Sequence, residues 1–134
     1  MDAPTIIADP VLALDKIEQS HKVVRGILDG IRRSFDLNDN ESAKILILKL
    51  LMTEVSHFND EEQIMERFDY PDLSAHRAQH NQMIDALSNI NRIIILDDPR
   101  FLSKDFIDYL EKTQSHEEEE DVLLKKFLAS LERQ

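Results

Sequence analysis

The chain has 134 residues, no cysteine and a formal charge of −11 at neutral pH, which suits one domain over residues 1–134 that buries its core without disulfides. The missing cysteine excludes a disulfide framework and a zinc ribbon, so a metal would have to be held by nitrogen and oxygen. The acidic excess repels nucleic-acid backbones and anionic membranes, and neither is expected as a partner. The opening MDAPTIIADP lacks the basic start and long apolar stretch of a signal peptide. Apolar runs such as Ile93 to Leu96 are far too short to cross a bilayer. A soluble, cytoplasmic protein is expected, and nothing in the sequence marks a surface for a protein partner.

Two glycines, four prolines and 32% charged residues describe a helical chain. The first predicted helix covers about 10–35. Pro10 suits its first turn, Leu14, Ile17, His21, Val24, Leu28 and Ile31 form its apolar stripe, and Asp36 to Asn40 break it. The second covers about 41–68, with Asn40 or Ser42 as cap. Ala43, Leu46, Leu50, His57, Glu61, Ile64 and Phe68 share a face up to the Asp69-Tyr70-Pro71-Asp72 turn. The third, about 72–96, carries Leu73, His76, His80, Met83, Leu87, Ile90 and Ile94, and stops at Asp97-Asp98-Pro99. The fourth, about 103–132, starts from a Ser103 cap and runs through Phe106, Leu110, His116, Leu124, Phe127 and Leu131. Four amphipathic helices with short connections predict an all-α, up-down-up-down bundle whose ligating side chains project inward.

All five histidines fall on these interior faces, and four of them have a potential ligand about one helical turn away. His57 precedes Glu61 by four, His76 precedes His80 by four, and His116 precedes Asp121 by five. Each alone has an ordinary reading: a buried histidine is usually a hydrogen-bonded core residue, and a four-residue pair can be a solvated helix face. Jointly those readings fail, because leaving five imidazoles and two acids unpaired costs roughly 1–3 kcal/mol per group, most of a typical stability. Seven donors exceed one ion but suit two that share two bridging carboxylates. A three-plus-two division of the imidazoles leaves one metal a position short, open to a small ligand.

The pieces HK at 21–22, HFNDEEQIM at 57–65, YP at 70–71, HRAQH at 76–80 and HEEEED at 116–121 resemble the hemerythrin family, most of all its single-domain bacterial members. The resemblance implies two iron ions (Fe2+/Fe3+) with an oxo or hydroxo bridge. It implies that His76, His80 and His116 bind one iron, His21 and His57 the other, and that Glu61 and Asp121 bridge them. It implies O2 as ligand, with related small molecules such as peroxide or NO as alternatives, and carriage, storage or sensing as the role rather than catalysis.

Helix geometry alone slightly favours Glu120 over Asp121 as partner of His116, since five residues overshoot one turn by about 40°; the family pattern favours Asp121. A rival site of the ferritin-like di-iron type would use Glu18-x-x-His21 and Glu54-x-x-His57, but the third predicted helix has no glutamate to complete it. Glu18 and Glu54 are therefore expected at the surface or behind the ligands. The ligand pocket is expected to involve Val24, Arg25, Phe58, Thr113 and Glu117. Four departures from the family pattern, Arg25, Lys112, Thr113 and Glu117, make that pocket polar, whereas apolar walls keep water and protons from a bound ligand. An Arg25–Glu117 ion pair, or Glu117 as an extra ligand, is one expectation; a rotated or kinked last helix that turns Glu117 to water is the other. A peroxidase or oxidase is the second functional reading.

Overall fold

A computed structural model describes residues 9–95 and 99–131, with side chains other than those of 93–95 and 99–105. The helices are α1 (Pro10–Asp36), α2 (Asn40–Arg67), α3 (Leu73–Ile95), α4 (Pro99–His116) and α5 (Val122–Leu131), with a π-helical turn, Glu117–Asp121, joining the last two. Consecutive helices pack on each other, and α5 returns against α1 to close a four-armed bundle whose fourth arm is α4, the π turn and α5. Among the described residues there is no strand, and no helix is long and apolar enough to cross a membrane.

Local chemistry sets the ends of the arms. Asp9 caps α1 by accepting a hydrogen bond from the Val11 N–H at 2.8 Å, ahead of Pro10 in the first turn. The next corner turns on Asn38, whose φ of 54° is left-handed. The cap of α2 is Asp39, not Asn40 or Ser42: its carboxylate accepts from the Ser42 N–H at 3.2 Å and the Ser42 hydroxyl at 2.7 Å. Asp beats its neighbours because one carboxylate takes both donors. Asp69, with φ of 55°, makes the second corner, and the Tyr70 N–H closes α2 by donating to the Met65 carbonyl.

The fourth arm departs most from expectation. It starts at Pro99 rather than at a Ser103 cap, because proline's fixed φ and missing N–H fit a first helical position. It is also not one continuous α-helix, since the π turn interrupts it after His116. The expected break at Asp97-Asp98 and the side chain of Ile94 lie outside the described residues.

Two apolar clusters fill the bundle. One holds Val24, Ile27, Ile31, Ile47, Leu50, Phe58, Met83, Leu87, Ile90, Phe106 and Tyr109 among others. The other is Ala13, Ile17, Ile64, Met65, Tyr70, Leu124 and Leu128. In every arm the histidines fall between a residue of one cluster and a residue of the other: His21 between Ile17 and Val24, His57 between Leu50 and Ile64, His76 and His80 between Tyr70 and Met83, His116 between Tyr109 and Leu124. A polar slice thus crosses an otherwise apolar core. Such a slice is costly unless its groups are satisfied.

Candidate metal centre

The slice contains all seven expected ligands. His21, His57, His76, His80 and His116 are buried, as are Glu61 and Asp121. Their donor atoms fall in two adjoining groups that could each hold a metal ion: Glu61, His76, His80, His116 and Asp121 in one, His21, His57 and Glu61 in the other.

The oxygens of the two carboxylates divide between these groups. Glu61 turns Oε1 to His76 Nε2 at 2.6 Å and His80 Nε2 at 3.2 Å, and Oε2 to His57 Nε2 at 3.4 Å and His21 Nε2 at 3.9 Å. Asp121 turns Oδ1 to His116 Nε2 at 2.9 Å and His76 Nε2 at 3.1 Å, and Oδ2 to His21 Nε2 at 3.1 Å. Every imidazole presents Nε2 inward.

Several atoms there are buried without a hydrogen-bond partner, among them His21 Nε2, His80 Nε2, His116 Nε2, Glu61 Oε2 and Asp121 Oδ1. Converging orphaned nitrogens and oxygens fit a group that accepts their lone pairs, and imidazole with carboxylate suits a first-row transition metal. Without one, protons do part of the work. Burial pushes the His76 imidazole down, but Asp121 and Glu61 together outweigh it and lift the group to about 9. His21 is raised against its burial by Asp121. Burial wins at His57, which is lowered. Burial would raise both carboxyls, yet the histidines hold Glu61 below the usual range and drive Asp121 far below it.

The π turn explains the choice between Glu120 and Asp121. An i→i+5 turn takes one more residue than an α turn, so a residue five along returns to the same face. Asp121 is buried beside His116, while Glu120 is half-buried and outside both ligand groups.

Outer contacts orient three-histidine ligands and were not foreseen. His80 Nδ1 lies 3.0 Å from Glu62 Oε2, and His116 Nδ1 lies 2.8 Å from Gln79 Oε1. Arg77 donates to Glu62 at 2.7 Å and to Glu66 at 2.8 Å, fixing Glu62 in turn. The one-residue step from Glu61 to Glu62 and the position of Gln79 just before His80 were the available signals. Phe58 stacks on His80, with centroids 4.0 Å apart and planes 6° from parallel.

A cavity of about 10 Å3 adjoins the centre, lined by His21, Val24, Glu54, His57, Phe58, Met83, Thr113, His116, Glu117 and Asp121. Val24, Phe58, Thr113 and Glu117 thus stand where expected. Arg25 does not: it is exposed and lines an outer groove between α1 and α4, with Leu28, Asp29, Arg32, Leu110, Thr113, Gln114 and Glu117. One helical step of about 100° from Val24 carries it out of the core. No ion pair joins it to Glu117, which lines both spaces and belongs to neither ligand group. Glu18 is partly exposed and pairs with Lys125, as expected of a surface residue. Glu54 takes the other of the two expected places, behind the ligands. It is 1% exposed, lines the cavity and accepts a hydrogen bond from the Tyr109 hydroxyl at 2.8 Å. Burial pushes its carboxyl up to about 7 against that hydrogen bond.

A four-armed bundle with two adjoining histidine–carboxylate groups across its core is a metal-binding bundle of the kind that can hold two ions at once. The model of the hemerythrin HHE cation binding domain matches residues 12–128, and the chain belongs to the hemerythrin family. It is 30% identical to the myohemerythrin of Theromyzon tessulatum over 76 residues, 57% of this chain and 58% of that protein. The chain therefore spans a little over half the length of that curated relative. No solved structure gives a significant match.

Proposed function

We propose that this protein holds two iron ions and binds O2, or a related small ligand such as NO, for carriage, storage or sensing. His76, His80 and His116 would hold one ion, His21 and His57 the other, with Glu61 and Asp121 bridging. The observation that carries this reading is the division of Glu61: Oε1 faces two histidines of one group and Oε2 the two of the other. Membership of the hemerythrin family supports the choice of iron and of O2. When bound, the iron pair would supply electrons that a small ligand can take up and return.

The chain's own contribution is position and exclusion. The cavity is lined by His21 and His57, of the group with fewer donors, and by His116 and Asp121 of the other, with Val24, Phe58 and Met83 as its apolar wall. Its size suits one water-sized body.

The test is stopped-flow optical spectroscopy of iron-loaded, anaerobically reduced protein mixed with O2 and then purged with argon. A charge-transfer band that forms on mixing and fades on purging supports reversible binding. Rapid, irreversible passage to the oxidised spectrum sinks it and favours the second reading, a peroxide-reactive enzyme. The polar Glu54, Thr113 and Glu117 in the cavity wall favour that alternative.

A further inference from the structure

The second helix is apolar on two sides. Its inner side carries Ala43, Ile47, Leu50 and Phe58 together with His57 and Glu61. Its outer side carries Ile45, Leu48, Met52 and Val55, which are 69, 48, 67 and 49% exposed. Steps of three, four and three residues are the spacing a helix presents to a partner helix, and here they lie on the side opposite the core. The third helix shows what solvent alone asks for, since its exposed residues include Asn81, Gln82, Asp85, Ser88 and Asn89. Val23 of α1, also about half exposed, widens the stripe across a groove of about 550 Å3 that it lines with Ser20, Ile45, Leu48, Lys49 and Met52 among others. Together these side chains expose several hundred Å2 of apolar surface, a size that marks an interaction site. Among the described residues nothing covers it.

Symmetry, charge and area fit this face to a second copy of the same chain. The stripe is nearly symmetric about its midpoint, with Ile45 and Val55 at its ends, Leu48 and Met52 within, and polar Glu41 and Asn59 one step beyond. A two-fold contact needs such a surface, because each residue meets its counterpart's partner in both directions. Two chains of charge −11 repel each other and approach most easily through a face poor in exposed acid. Between Glu41 and Asp60 the one acid of α2 is Glu54, which is buried, and the other charges are Lys44 and Lys49. Those lysines also decide direction. In a parallel pairing they flank the seam five residues apart, where Lys44 of each copy meets Lys49 of the other, twice over. An antiparallel pairing parts them and leaves only the two Lys49 side chains near each other, at a margin where their ends reach water. From Glu41 to Asn59 the face is about 27 Å long and two helices, about 20 Å, wide. That is room for the roughly 800 Å2 each partner gives to a standard interface. We propose that two copies dimerise through the outer face of α1 and α2, with the α2 helices antiparallel, Ile45 of each against Val55 of the other and Leu48 against Met52.

The experiment is sedimentation velocity of the metal-loaded chain from micromolar to submillimolar concentration. The expected result is a concentration-dependent passage from the mass of one chain to that of two. Met52→Lys should weaken the dimer roughly thirtyfold or more, the effect of losing a central anchor, with helix content and metal content unchanged because the side chain is exposed. Direction is read by disulfide trapping, which a chain without cysteine makes clean. In an antiparallel pair, position 45 lies about 15 Å along the helix from position 45 of the other copy, and likewise for position 55. A disulfide needs Cα atoms within about 7 Å. Neither Ile45→Cys nor Val55→Cys should therefore cross-link alone, whereas an equimolar mixture of the two variants should. A monomer at every concentration overturns the proposal and leaves the stripe to another occupant, such as residues 1–8, which lie outside the described residues, or a different protein. A dimer untouched by Met52→Lys overturns the choice of face. Cross-linking of either cysteine variant with itself overturns the antiparallel pairing.

Discussion

The two groups of the candidate metal centre are supported differently. In the three-histidine group, His80 and His116 each have the outward nitrogen held, by Glu62 and Gln79, and Arg77 braces Glu62. In the two-histidine group His21 Nδ1 is buried without a partner, as His76 Nδ1 is in the other, and His21, His57 and His116 all line the cavity. An imidazole whose second nitrogen is bonded is fixed in tautomer and orientation and is a stronger ligand. Tight holding is thus concentrated on His80 and His116, whereas His21, which also faces the cavity, has no such brace.

The largest effect should come from cutting what the two groups share. Glu61→Ala removes a side chain that belongs to both donor groups, and is expected to bring metal content, by elemental analysis of the purified protein, from two ions per chain to less than one. His57→Ala touches only the two-histidine group and should leave one ion in place. If His57→Ala empties both groups as thoroughly as Glu61→Ala does, the three-histidine group has no independent strength and the contrast collapses.

Most of this arrangement was legible because helical periodicity repeats the same message in four arms. Stripes through His21, His57, His76, His80 and His116 placed all five imidazoles inside, and the structure buries all five. What periodicity could not supply is whatever breaks it. The π turn at Glu117–Asp121 shifts the register by one residue, so an α-helical wheel favours Glu120 where the structure brings Asp121 to His116. For Glu54 the sequence leaves surface and interior both open, and what decides between them is Tyr109, 55 positions further on, supplying a hydrogen bond to the buried carboxyl. Gln79 and Glu62 escaped notice likewise, because they act through atoms on other helices.

Glu54 also separates the cavity side from the braced side in its response to pH. Its carboxyl titrates near 4.5 when unfolded and at about 7 in the folded protein. The folded state therefore holds more protons between those values, and stability falls as pH rises through that window. At about 1.4 kcal/mol per pKa unit, the loss due to this group is on the order of 3 kcal/mol by pH 8. Glu54→Gln should flatten this part of the metal-free protein's stability curve, raising stability at pH 8 while changing it little at pH 4. Denaturant unfolding at the two pH values checks it; equal shifts at both would mean that the carboxyl is not titrating in this window.

Removing a brace should cost less. Gln79→Leu and Glu62→Ala are expected to weaken metal at the three-histidine group about 10- to 100-fold, measured by competition with a chelator. The loss should be confined to one ion per chain. A uniform weakening of both would show that the outer contacts stabilise the bundle rather than the ligands they touch.

The smallest effect concerns Arg25, which the contrast between the groups predicts to be irrelevant to both. It is exposed in the outer groove and makes no ion pair with Glu117. Two exposed or half-exposed charges without contact share little energy in water. Arg25→Ala should therefore change stability by no more than about 0.5 kcal/mol, and in a double-mutant cycle with Glu117→Leu the two changes should add within about 0.5 kcal/mol. Glu117→Leu alone should still slow autoxidation of the iron-loaded protein, because Glu117 lines the inner cavity as well as the groove and leucine would dry that wall. Strong coupling in the cycle would mean that the two side chains meet in solution and that the groove closes over the cavity. In that case the entrance, and not the freedom of His21, would be what sets the two-histidine side apart.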